Sequence, residues 1–253
     1  MKRKYSNSTT EGGFTIVELL VVLPIYVLVV MVTFSSLLTR YGQLLKEAAA
    51  VNLRLEAETS LVVLEDELIF ATDFGEVITS DLSDAYAPSG GWKNGTNPDT
   101  LIIYETALTA GRRDPNRDFV YKNVYGCGSG SNPIALNNLV YFTKQNTTDS
   151  YKTLYKRSVV PSYATCQTNY RKKSCPEGVV ASGCTTDGIV SRNVVDFNIE
   201  YYDDDNVLIN DEGATGSYDL SLARKLKVKL TLGDKANGED VVITSAVTMK
   251  RLN

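Results

Sequence analysis

Four cysteines, Cys127, Cys166, Cys175 and Cys184, are the residues of this 253-residue chain best suited to covalent chemistry. Their number is even, no two form a C-x-x-C pair, and the chain contains no histidine. That set favours two disulfides over a zinc site, which calls for close cysteine pairs or mixed Cys/His ligands. Among the connectivities open to four cysteines, Cys127–Cys166 closes an expected hairpin and Cys175–Cys184 closes a short loop, so this pairing is favoured. Disulfides imply an oxidising compartment outside the cytoplasm. The missing histidine also removes the commonest general base and the Ser/His and Cys/His nucleophile pairs, so the chain reads as a non-enzyme. No cofactor is expected.

Other residue groups have a chemistry to weigh. Asp203, Asp205 and Asp211, with Asp204, Asn206 and Glu212 beside them, are weak calcium candidates. Their spacing fits no twelve-residue loop with glycine at its sixth place, and adjacent turn-formers after a strand more often make a solvated turn. Arg171, Lys172 and Lys173 lie next to Tyr170, and Arg112, Arg113 and Arg117 form a second basic cluster. Basic residues beside an aromatic ring can grip phosphates and stack on bases, which makes DNA contact the minor alternative to a solvated surface. A formal net charge of −4 argues against a nucleic-acid binder built on the whole molecule. Gly126-Cys127-Gly128-Ser129-Gly130 is as glycine-rich as a phosphate loop but has no lysine and no strand-to-helix setting, so it reads as flexible chain around a disulfide. Asn94-Gly95-Thr96 and Asn146-Thr147-Thr148 match glycosylation sequons.

The elements that must carry these groups begin with a charge-free run from Leu19 to Leu38. Twenty helical residues rise about 30 Å, the thickness of a bilayer's hydrocarbon core. Lys2, Arg3 and Lys4 precede the run, which keeps the amino terminus cytoplasmic and exports the rest. The run is too long for a secretory signal and no A-x-A-like site follows it, so it reads as an anchor. Helical periodicity continues through Tyr41, Leu45, Ala48, Val51, Leu55, Val62 and Ile69, and the expectation is that a globular domain packs on that stripe, with a coiled-coil partner as the alternative. One helix from about Phe14 to Ala71 is expected, apolar over 14–39 and amphipathic over 40–72, followed by a β-rich head over 73–253. Alternation predicts strands over Val194–Tyr202 and Lys225–Leu232 and a third over Val241–Met249. Short apolar runs at 101–104, 119–121 and 139–142 add more, and 151–160 returns from the last of these as a hairpin. Antiparallel neighbours would set Lys225, Lys227 and Lys229 opposite acidic residues. The fold class is α+β, a long helix packed against an antiparallel β-rich head.

The head of the apolar run carries one charge, Glu18, within Gly12-Gly13-Phe14-Thr15-Ile16-Val17-Glu18. This stretch, GFTIVELLVVL, resembles the class III signal of type IV prepilins and type II secretion pseudopilins. The resemblance implies that residues 1–13 are a leader, cut between Gly13 and Phe14 by a prepilin peptidase that also methylates the new amine of Phe14. It implies that Glu18 pairs with a neighbouring subunit's amino terminus and sets the register of assembly. Pro24 and Ser35 depart from the major-subunit pattern, in which the proline falls later. A proline removes one helical hydrogen bond and bends or locally melts the helix. The order of elements after the helix, including VVDFNIEYYDDDN and the terminal VTMKRLN, is similar to the larger minor subunits of the J or W type. The resemblance therefore implies a minor, structural subunit of a pilus or pseudopilus, or alternatively a tip binding module (adhesin or DNA receptor) on the same mount. Its partners would be other pilin subunits, the peptidase, an inner-membrane assembly platform and, before assembly, membrane lipid. Before assembly it would be a single-pass inner-membrane protein with its head outside, and afterwards part of a surface filament.

Overall fold

The computed structural model describes residues 15–94, 100–145, 150–179, 183–209 and 220–250. They divide into two compact units at Ala48. Helix α1, Ile16–Leu68, is 53 residues long and runs through Pro24 without interruption. Up to Leu38 it is built almost wholly of aliphatic and aromatic residues, and nearly all of their side chains are exposed. It is the one helix among the described residues long and apolar enough to cross a membrane, as expected for a single-pass protein. The helix ends three residues earlier than expected: Ile69 and Phe70 form a turn, and Ala71 already begins a strand.

The second unit holds the rest of α1 and a seven-stranded sheet. Its strands are β1 (Ala71–Gly75), β2 (Thr100–Thr106), β3 (Leu136–Gln145), β4 (Lys152–Val159), β7 (Gly188–Tyr202), β8 (Lys225–Ala236) and β9 (Glu239–Lys250), in that spatial order and all antiparallel. Two short strands, β5 (Lys173–Cys175) and β6 (Cys184–Thr186), pair in parallel apart from it. The expected hairpin over 139–160 is β3–β4. Asn237-Gly238, both with positive φ, make the tight β8–β9 turn, a dipeptide that suits a two-residue hairpin loop. The 119–121 run forms only isolated bridges, Phe119 with Leu108 and Tyr121 with Ile134, and no strand.

Alternation sets the core. Leu226, Val228, Leu230 and Leu232 of β8 are buried toward α1, together with Phe197, Ile199 and Tyr201 of β7. Lys227 and Lys229, on the opposite face, both reach Glu200 of the neighbouring strand, Lys227 at 3.2 Å. The second face of the sheet is covered over β2–β4 by the segment after β1, whose Leu82 and Trp92 pack on Ile102, Val140, Phe142 and Val159.

One expectation is overturned. The head does not pack on the Val51–Leu55–Val62–Ile69 stripe, which stays exposed; it packs on Leu53, Ala57, Ser60, Leu61, Leu64 and Leu68. The choice follows from size. Ala57 and Ser60 let the helix approach the sheet closely, and the Ser60 hydroxyl donates to the Val190 carbonyl at 2.9 Å.

Candidate functional site

The structure presents the chemistry-bearing residues as a helix start, a bare helix face, two buried ion clusters and a pair of disulfides. The expected cleavage residues Gly13 and Phe14 lie outside the described residues. Just after them, Thr15 and Glu18 form a capping box. The Thr15 amide and hydroxyl both donate to Glu18 Oε2, at 3.0 and 2.9 Å, and the Glu18 amide donates to Thr15 Oγ1 at 3.3 Å. Glu18 thus satisfies a free amide at the helix start and places its charge at the positive end of the helix dipole. The T-x-x-E pattern of this cap is legible in the chain and gives Glu18 a local role beside the intersubunit one that the resemblance implies.

The bare helix face lies opposite the packed one. Within the head unit, Leu55 is 58% exposed and Val62 62%, against 1% for Leu64. Val51 and Ile69 are exposed on the same side. In the first unit Tyr41, Leu44 and Leu45 are exposed as well. The steps from Val51 to Leu55, Val62 and Ile69 are four and seven, the spacing with which one helix meets another.

One arginine from each basic cluster, Arg112 and Arg171, converges on a single place, where both are neutralised. Glu67 of α1 takes Arg112 at 2.6 Å, Arg171 at 3.1 Å and Lys156. Glu105 of β2 takes Arg112 at 2.8 Å, with Arg171 Nε 2.9 Å from its other oxygen, an ion-pair distance without hydrogen-bond alignment. Burial raises the pKa of Glu67, but Arg171, Lys156 and Arg112 outweigh it and hold the carboxyl below its usual range. Beneath the cluster, Tyr141 is fully buried, its hydroxyl has no hydrogen-bond partner among the described residues, and burial pushes its pKa well up. Arg171 is therefore spent inside the protein. Lys172 is exposed and Lys173 half-buried in β5, while Arg113 pairs with Asp66 at the surface. Sequence reasoning missed Glu67, which is 45 residues from Arg112, and also Glu105, which is only seven from it.

A second cluster had no expectation attached. Arg157 of β4 is 3% exposed and lies between Asp187, bound by its Nε at 3.1 and 3.2 Å, and Asp84, bound by Nη1 at 3.0 Å. Its guanidinium is 5.4 Å from the ring centres of Trp92 and Phe142, and the Trp92 indole donates to Asp84 at 2.8 Å. Burial lowers the Arg157 pKa, but Asp187 and Asp84 more than restore it, so the cation is held firmly. A cavity of about 810 Å³ opens beside this cluster, lined by Tyr86, Trp92, Phe142, Tyr155 and Arg157. Every charge here is paired, which suits the anchoring of the Leu82–Trp92 segment to the sheet.

Cys127 is bonded to Cys166 and Cys175 to Cys184. The first bridge flanks the β3–β4 hairpin and the second ties β5 to β6. Asp203 caps its own turn, accepting from the Val207 amide at 2.8 Å, and Asp205 points into solvent. Asp211 lies outside the described residues. Among the described residues no group of three or more acidic or cysteine side chains is placed to hold a metal ion.

Compared with known proteins, the chain matches no family model and no curated protein. What the fold and its surfaces define is a class: a single membrane-length helix that continues into an α+β head bearing two disulfides, with an apolar helix face left open.

Proposed function

We propose that the chain is a minor pilin-like structural subunit of a type IV pilus or type II secretion pseudopilus. A prepilin peptidase removes residues 1–13 and methylates Phe14. Helix α1 holds the subunit in the inner membrane and then enters the filament, leaving the disulfide-bonded head outside. The observation that carries this reading is the open apolar face of α1, Val51, Leu55 and Val62, continued by Ile69 in the turn after it, following a membrane-length run that Gly13-Phe14 and Glu18 introduce. A plain anchor has no use for exposed apolar residues at helix-pairing spacing beyond the membrane, whereas a subunit that packs helix against helix does. Glu18 serves twice in this account, capping its own helix and offering its second oxygen to the amino terminus of a neighbour. The test is intact mass and amino-terminal sequencing of the membrane form. N-methyl-phenylalanine at position 14 is expected; a retained leader, or cleavage beyond Leu38, would sink the reading.

A second reading, a tip binding module on the same mount, draws on the cavity beside Trp92. DNA as its ligand gains little from Arg171, whose charge Glu67 and Glu105 already meet. Triple substitution of Arg171, Lys172 and Lys173 separates the readings: normal filaments that no longer bind DNA or surfaces would favour the receptor.

A further inference from the structure

We propose that the segment between Cys166 and Cys175 is a redox-governed strap. While both disulfides are closed it fastens the last turn of α1 to the head; reduction of either bridge frees it, with the sheet still folded. Each of its ends is a half-cystine, since Cys166 is bonded to Cys127 and Cys175 to Cys184. Between these ends the strap reaches both ion clusters. Arg171 meets Glu67 of α1 at 3.1 Å. Three residues on, Ser174 Oγ donates to Asp187 Oδ1 at 2.7 Å and accepts from the Ser158 amide at 2.8 Å.

Apart from its bridges the strap has only light moorings. From Gln167 to Ser174 no apolar side chain is buried, and the one large ring, Tyr170, is 63% exposed. Its other bonds are polar. The Tyr170 amide donates to the Leu108 carbonyl at 2.8 Å, Asn169 donates to Asn137 at 2.6 Å, and the Gln167 side chain accepts from the Tyr121 amide at 3.0 Å. Tyr170 and Arg171 border a cavity of about 760 Å³ together with Glu67, Glu105 and Arg112. At the far end, β5 is three residues long and pairs with the equally short β6, to which the second bridge ties it. A two-stranded pair of that length is marginal without a cross-link. A segment with polar bonds and no apolar anchor sits at the low end of local stability, and a disulfide holds it by restricting its loose forms.

Opening the strap takes a dithiol reductant. One of its thiolates attacks Cys127, which is exposed, and expels the half-buried Cys166 as a thiolate that takes a proton. The second thiol of the reductant loses its proton, attacks the mixed disulfide, closes the reductant's own disulfide and releases Cys127, which is protonated in turn. At the other end the same attack falls on half-buried Cys184 and expels Cys175, which is 2% exposed. A loosened strap withdraws Arg171 from Glu67, which keeps Arg112 and Lys156. Disulfides persist outside the cytoplasm, so this joint between α1 and the sheet is completed only after export. That timing rests on the membrane-anchored reading above; the strap itself does not.

The experiment follows hydrogen exchange in the full chain in detergent, oxidised or reduced with dithiothreitol, with alkylation and mass measurement to count the open bridges. Two variants open one bridge each: Cys127→Ser with Cys166→Ser, and Cys175→Ser with Cys184→Ser. The Tyr170 amide should exchange at least tenfold faster in the reduced chain and in each variant, while the amides of β7 and β8 change less than twofold. Arg171→Gln separates a strap that grips α1 from a passive loop. Reduction should speed exchange in the last turn of α1, Glu65–Leu68, several-fold in the unaltered chain and leave it unchanged in Arg171→Gln, where the grip is already lost. A Tyr170 amide indifferent to opened bridges overturns the proposal. So does equal acceleration across β7 and β8, which would make the bridges staples of the whole head. An equal effect of reduction on α1 with and without Arg171 overturns the grip on Glu67. These amides all belong to the head unit, so a retained leader would sink the pilin-like reading and leave the strap standing.

Discussion

Between Val51 and Ile69, α1 has two apolar faces with opposite fates. One, through Leu53, Ala57, Leu61, Leu64 and Leu68, is buried against the sheet. The other, through Val51, Leu55, Val62 and Ile69, is open. Both faces are apolar: the buried one carries four leucines with the small Ala57 and Ser60 between them, the open one two valines, a leucine and an isoleucine. The difference teaches that burial here is decided by how closely the helix can approach the sheet and by what anchors it there. Glu67, one residue before the last buried leucine, gathers Arg112, Lys156 and Arg171 from three separate segments of the head. Among the described residues no comparable cluster grips the other face, where the exposed pairs Arg54–Glu58 and Arg113–Asp66 contribute little.

If one face serves folding and the other assembly, substitutions on them must separate. The largest effect is expected at Leu64, fully enclosed in the core. Leu64→Ala should lower unfolding stability by about 3 kcal/mol, measured as the shift of the urea midpoint at unchanged slope. Next comes the ion cluster: Glu67→Ala strands Lys156 and leaves Arg112 and Arg171 with Glu105 alone, and should cost on the order of 2 kcal/mol, below the full penalty for a wholly buried pair. Glu67 also sets a pH limb. Its folded pKa lies below the unfolded value near 4.5, so its contribution is present at neutral pH and is lost as pH falls below that value. Glu200 adds to the same limb, its pKa lowered to about 2 by hydrogen bonds from Lys229 and Tyr202, so loss continues between 4.5 and about 2. Glu67→Gln should therefore flatten the fall in melting temperature between pH 5 and pH 3, whereas an unchanged slope would remove Glu67 from the account. The smallest effect belongs to the open face, where Leu55→Ala or Val62→Ala should shift stability by no more than about 0.5 kcal/mol.

Much of this fold is written in local patterns. The charge-free run, the alternation of β7 and β8 and the β3–β4 hairpin can all be read from a few neighbouring residues, as can an even set of cysteines. Three features cannot. The packed face of α1 depends on Ser60 meeting the Val190 carbonyl across the molecule. The neutralised arginines depend on Glu67, 45 residues from Arg112 and 104 from Arg171, which no short window around either contains. The cluster of Arg157, Asp84 and Asp187 joins three stretches with no periodic signal, and only the fold brings them together. The capping box at Thr15 and Glu18 and the Asn237-Gly238 turn belong to a fourth kind: local, legible, and overlooked beside stronger signals.

The central claim is that the open face of α1 is an assembly surface and contributes nothing to holding the head together. The most direct test is the full chain carrying Leu55→Glu with Val62→Glu, measured for its unfolding midpoint in detergent and for its amount in filaments sheared from cells. A midpoint within experimental error of that of the unaltered chain and at least a tenfold loss from filaments are expected. Normal incorporation, or a midpoint that falls as far as that of Leu64→Ala, would contradict that claim.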